Sequence, residues 1–255
     1  MKTKRLLKEV SLQFEIKLAV FFFCSFSISV AASDTISIAV GLNKPPYVIQ
    51  AEDSGFEVEI IRSVFSKMGK QAKFNYVNYG RASKMLTMPN IDAVMTTNSN
   101  VFTDTTVLSD SYITYQNVAI SLKENNFDIT QISDLSHYSI ASFQIAHKVL
   151  GPEFEDAALS SPLYVQIPQQ KNQHVLLMKK RIDTLIMEKE IFKYFLRNSE
   201  WADQIDKIRF HAVFPVTYLN VAFKDKSNIE PFNQALKIFV KSAEYKELKL
   251  RFNID

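Results

Sequence analysis

The chain has 255 residues, with 30 Lys and Arg against 27 Asp and Glu and 47% apolar side chains, enough for two modest cores of about 100 residues each. Its net charge of +3 sits at the N-terminus, because setting aside residues 1–31 removes five basic and two acidic side chains and leaves 25 of each. No Lys/Arg run longer than three residues survives there to hold nucleic acid or an anionic membrane surface, and with Cys24 as the single cysteine the rest of the chain has no disulfide, thiol nucleophile or thiolate ligand.

Met1 to Ala32 reads as a targeting segment. Lys2, Lys4, Arg5, Lys8 and Lys17 precede an apolar stretch, Leu18 to Val30, that is short for a bilayer span, and Ser29-Val30-Ala31 offers small residues to a signal peptidase. A cleaved secretory signal is expected, with an uncleaved N-terminal anchor as the alternative. Ile36, Ile38 and Val40 then alternate as in a half-buried strand, and a loop stiffened by Pro45-Pro46 presents Tyr47. After Gly55 the period changes: Phe56, Val58, Ile60, Ile61, Val64, Phe65 and Met68 form one apolar face of a helix that Gly69 ends. Ala72 to Val77 reads as a second strand, Arg81 to Leu86 as a short helix and Ile91 to Met95 as a third strand. The polar run from Thr96 to Asn100 suits a binding rim and an ordinary loop equally well.

Tyr112 to Leu122 is long and β-rich. Beyond it, Tyr138 to Ser142 reads as a strand and Ile145 to Leu150 as a helix stopped by Gly151-Pro152, so Ser142-Phe143-Gln144 lies at a strand-to-helix junction. Tyr164 to Ile167 and Asp183 to Met187 read as strands, Asn172 to Lys180 and Glu190 to Leu196 as helices. Phe210 to Phe223 is β-rich with a break at Pro215, and two helices, Pro231 to Lys241 and Ala243 to Phe252, close the chain.

Several short motifs occur in a particular order: Pro45-Pro46-Tyr47, then Gly55-Phe56-Glu57-Val58-Glu59-Ile60, then Ile91-Asp92-Ala93-Val94, Leu108-Ser109-Asp110-Ser111-Tyr112 and Arg181-Ile182-Asp183-Thr184. In order and spacing they resemble the extracellular solute-binding proteins of family 3, which capture amino acids and similar small polar solutes for ABC importers. The resemblance covers nearly everything after residue 34. It implies an α/β fold of the periplasmic-binding-protein type II kind: two α/β lobes joined by two hinge strands, with a solute in the cleft. Residues 33–117 would begin lobe 1, 118–219 would form lobe 2, and 220–255 would return to lobe 1, with hinges near Tyr115 to Ala119 and Val216 to Val221 about which the lobes close.

The resemblance also implies a ligand set. Glu188, five residues after Asp183, stands where the family pairs a carboxylate with a ligand ammonium. The family's carboxylate-gripping arginine falls at Phe102, and no Lys or Arg lies between Lys84 and Lys123, which leaves Arg81 as the candidate cation. With these go Tyr47, Tyr79, Thr96, Asn98, Ser142 and Gln144 as further ligand-binding candidates. Ordinary α-amino acids are expected to bind weakly, and an anionic or aromatic solute to depend on Arg81.

Catalytic constellations are poorly represented. His137, His147, His174 and His211 show no metal-ligand spacing, no G-x-S-x-G or G-x-G-x-x-G occurs among five glycines, and Glu57/Glu59 or Glu188/Glu190 diverge on a helix. A binding protein rather than an enzyme is expected, with no metal and no cofactor. It would be a periplasmic monomer that takes a small solute to an ABC transporter permease or a membrane sensor. The alternatives are a member of the family that contacts a partner protein instead of a solute, and a dehydratase-like enzyme on the same scaffold.

Overall fold

The computed structural model describes residues 34–254, and the expected secretory signal lies outside them. Ten strands form two five-stranded sheets. In the first, β1 (Asp34–Gly41) pairs in parallel with β2 (Lys70–Val77) and β3 (Ala93–Thr97), while β10 (Thr217–Phe223) runs antiparallel to β3 and to β4 (Ile113–Tyr115). The second repeats the plan: β6 (Ile140–Ser142) is parallel to β7 (Tyr164–Gln166) and β8 (Thr184–Glu188), and β5 (Asn117–Leu122) is antiparallel to β8 and β9 (Ile208–His211). These are the two α/β lobes expected from the sequence.

The expected apolar face is the one buried in α1 (Phe56–Lys67), where Phe56, Val58, Ile60, Ile61, Val64 and Phe65 all lose their solvent contact. Against it pack the two last helices, α7 (Ile229–Phe239) and α8 (Ala243–Phe252), through Phe65–Phe232 at 5.5 Å and Phe56–Tyr245 at 5.9 Å between ring centroids. The C-terminal segment therefore belongs to lobe 1. Short helices α2 (Ala82–Met85), α3 (Ala146–Val149) and α5 (Gln173–Met178) and the longer α6 (Lys189–Arg197) fall where periodicity places them, within a few residues.

Three features differ from the sequence reading. First, α4 (Pro152–Ser160) was not expected. Gly151-Pro152 does end α3, but Gly151 at φ 96 also caps α4 and Pro152 is its first residue, a position where its missing N–H costs nothing. Second, β3 runs on through Thr97 because β10 supplies a partner strand to residues that look like loop in isolation. Third, the chain leaves lobe 1 at Gln116 and returns between His211 and Thr217, so the boundary expected at 219/220 falls inside β10, all of which pairs with lobe 1. The two crossings are tied together, Gln116 Nε2 donating to Phe214 O at 3.0 Å and Asn117 Nδ2 to the Thr217 hydroxyl at 3.2 Å.

Gly55 fixes the start of α1 against the loop before it. At φ 122 it occupies a region closed to other residues, and a Cβ there would lie 2.4 Å from the Tyr47 carbonyl oxygen. The close approach lets Phe56 N–H and Glu57 N–H donate to Pro46 O and Tyr47 O, both at 3.0 Å. Gly55→Ala is expected to destabilise the fold by about 1–3 kcal/mol, read as a fall in the urea midpoint. An unchanged midpoint would contradict this tight packing.

Candidate functional site

Where β1 ends, the chain turns through residues 42–55 and places Lys44 beside the first turn of α1. Lys44 is 4% exposed and Glu57 0%, a burial that two charges tolerate only when paired and hydrogen-bonded. They are. Lys44 Nζ donates to Glu57 Oε1 at 2.5 Å, to the Thr96 hydroxyl at 3.0 Å and to the Tyr115 hydroxyl at 3.0 Å, which uses all three of its N–H groups. Glu57 also accepts from the hydroxyls of Tyr115 and Tyr112 and, at 2.6 Å, from Thr96.

Thr96 reaches this network through an irregularity in its own strand. Between the pairs Asn220↔Thr97 and Ala222↔Val94, β3 carries one residue more than β10, and Thr96 there sits at φ 61. Such a bulge redirects a side chain, and its backbone strain persists only where the surroundings hold it. Here Thr96 N–H donates to the Tyr112 hydroxyl at 3.0 Å while Oγ1 joins Lys44 and Glu57. Burial alone would raise the Glu57 carboxyl, but Lys44 and the donors around it outweigh that and hold it below its ordinary range.

A cavity of about 70 Å³ lies between the lobes beside this network. Lobe 1 and the crossings contribute Leu42, Lys44, Tyr79, Thr96, Tyr115 and Asn117, and lobe 2 contributes Phe143, Gln144, Gln170, Glu188 and Ile191. Of the residues expected from the sequence, Tyr79, Thr96, Gln144 and Glu188 line it. Tyr47 stands behind the wall, its ring 4.5 Å from that of Tyr115 and its hydroxyl in hydrogen-bonding reach of Glu188.

The other candidates lie elsewhere. Arg81 is exposed at the start of α2 and does not line the cavity. Ser142 is buried and turns its hydroxyl to Tyr164 at 3.0 Å, and the neighbouring Ile145 N–H already donates to Gln166 Oε1 at 2.7 Å. Asn98 donates across the lobes to Val149 O at 3.0 Å, joined by Asn100 at 3.2 Å. Phe102, at the position of the family's arginine, is buried with Val101, Ala82 and Met85 of lobe 1 and with Ile145 and Val149 of lobe 2. An apolar seam therefore joins the lobes where a cation was sought.

Glu188 is the distinctive charge of lobe 2. It ends β8 and caps α6, its Oε2 accepting from Glu190 N–H at 2.7 Å and Ile191 N–H at 2.9 Å. It is 4% exposed, and among the described residues no lysine or arginine forms an ion pair with it. Burial, only partly offset by the two backbone donors, pushes its carboxyl up to about 7.

The sequence reading did not single out Lys44 and Tyr115, which line the cavity, or Glu57, which they contact, although Lys44 adjoins the Pro45-Pro46-Tyr47 motif and Glu57 lies inside the next one. A lysine directly after a strand, in a loop too stiff to swing it out to solvent, is the signal the sequence offered. Among the described residues, no group of three or more His, Cys, Asp or Glu side chains is placed to hold a metal ion.

The same architecture occurs in solved structures. A histidine kinase sensor domain with similarity to periplasmic binding proteins superposes with a TM-score of 0.71 at 16% identity, covering 86% of this chain and 96% of that one. An ancestral arginine-binding protein bound to arginine gives 0.69 at 16%, covering 86% and 97%. An ABC uptake transporter substrate binding protein from Streptococcus pneumoniae with bound histidine gives 0.69 at 18%, covering 86% and 92%. At such identities the likeness is one of fold. No curated protein matches the sequence. The profile of one sequence family matches residues 36–254, from the first strand to the end of the last helix. Two lobes, two crossings and that match across both of them make this chain a member of the bacterial extracellular solute-binding proteins, family 3.

Proposed function

We propose that the protein captures a small solute in the cavity between its lobes, with Glu188 receiving the solute's positively charged end. The single observation that supports this is a buried carboxyl at the cavity wall with which no lysine or arginine among the described residues forms an ion pair. The cleft binds without transforming its solute, and the protein works as a periplasmic receptor whose partner is a membrane importer or sensor. Both kinds of assembly occur among proteins of similar fold, one a transporter's binding protein and one a kinase sensor domain.

The proposal has a pH signature. With its carboxyl near 7, Glu188 is mostly protonated below that value and ionised above it. A bound ammonium favours the ionised form, so affinity is expected to rise up to about tenfold per pH unit between roughly 5 and 7 and to level off above. Glu188→Gln should flatten the profile and weaken binding by about 2–5 kcal/mol. Calorimetric titrations with amines and amino acids across this range supply the test. A wild-type affinity independent of pH would remove Glu188 from the site.

A further inference from the structure

Resting on that reading, we propose that the solute is a compact organic amine without a carboxylate. The charge bookkeeping of the cavity carries the inference. Lys44 is the one lysine or arginine that lines it, and its three N–H groups are spent on Glu57, Thr96 and Tyr115. A ligand carboxylate could engage Lys44 only by breaking a buried pair and leaving Glu57 uncompensated. Asn117 Nδ2 gives one of its two N–H groups to Thr217 and is a neutral donor only. Arg81 is exposed outside the lining.

Acceptors are prominent among the polar groups at the wall. Glu188, although it caps α6, forms no ion pair among the described residues, and the buried Oε1 of Gln170 has no hydrogen-bond partner. Gln144, Gln170 and Asn117 keep amide N–H groups that can donate, but neutral donors do not supply the opposite charge a buried carboxylate needs, and ionised Glu188 would repel it. Two acceptors of lobe 2 at one cavity fit an N–H-rich cationic head. The rest of the wall, Leu42, Val149, Ile191 and Leu219 with the ring of Tyr79, fits a short apolar body. Size agrees: at about 70 Å³ the cavity is small, which favours a compact solute.

The test compares ligands on the wild-type protein by titration calorimetry at pH 8, where Glu188 is ionised. Isobutylamine is set against valine, which carries the same branched body plus a carboxylate, and against glycine and alanine, which are of similar size to the amine. Isobutylamine is expected to bind at least about tenfold more tightly than each amino acid, the factor that one unpaired buried charge readily supplies. Any of the three amino acids binding as tightly as isobutylamine would overturn the inference and leave solute capture by Glu188 standing. No heat and no shift in melting temperature with any of the four at millimolar concentration would overturn both.

Discussion

Glu57→Gln is expected to lower the unfolding free energy by about 3–5 kcal/mol, the range measured when one member of a buried ion pair is removed. The amide leaves Lys44 charged in a space from which water is excluded, and it cannot accept from four donors as the carboxylate does. Lys44→Met is expected to fall in the same range for the converse reason. The double variant Lys44→Met/Glu57→Leu should recover at least about half of either loss, because two apolar residues leave no unanswered charge. Part of the penalty persists, since the Tyr115 hydroxyl loses both Lys44 and Glu57 as hydrogen-bond partners. Urea unfolding of the three variants gives the answer, and single variants within about 1 kcal/mol of wild type would show that the pair carries little.

Glu188→Gln should move stability the other way above neutrality. The Glu188 carboxyl goes from an ordinary 4.5 to about 7 on folding, so the folded state binds the proton more tightly than the unfolded chain. Stability from this group is therefore fully present below about 4.5, falls as pH rises and reaches its full penalty above about 7. At about 1.4 kcal/mol for each tenfold change in proton affinity, the penalty at pH 8 is roughly 3 kcal/mol. Glutamine is never ionised, so the variant should gain on wild type with rising pH up to that amount, less about 0.5–1 kcal/mol for the weaker helix cap. Parallel stability curves for the two proteins from pH 4.5 to 8 would show that Glu188 is not held protonated by burial. The proposed binding role and stability thus draw on Glu188 in opposite senses.

Much of the framework was legible because local pattern and tertiary role coincide. The apolar face of α1 is also the face buried under α7 and α8, and the turn at Gly55 is required by the loop it touches. Glu188 was found by register, since a motif in β8 places it at the start of α6. Lys44 was not, because what makes it a site residue is a hydroxyl on Tyr115 and a bulge at Thr96, both remote in sequence and neither visible in periodicity. Arg81 was favoured by eliminating other cations between Lys84 and Lys123, a search that never looked back past the prolines to Lys44. At Phe102 the resemblance pointed to a missing cation, but its apolar partners Ile145 and Val149 come from the other lobe, and one sequence does not show which side chains meet across a cleft. Helix α4 was hidden by reading Gly151-Pro152 only as an ending.

That seam bears on how long a captured solute stays. Parting of the lobes would bring Phe102, Ile145 and Val149 into water and free Val149 O from Asn98 and Asn100. At about 1.5–3 kcal/mol for each large apolar side chain fully exposed, even partial exposure of the three adds a barrier that the solute itself does not supply. Residence time is then set in part by the protein's own hydrocarbon. Because such contacts carry no charge, ionic strength should hardly change it, and because they weaken on cooling, the seam holds less firmly in the cold. A membrane partner that prises the lobes apart at Val149 would release the cargo without touching it.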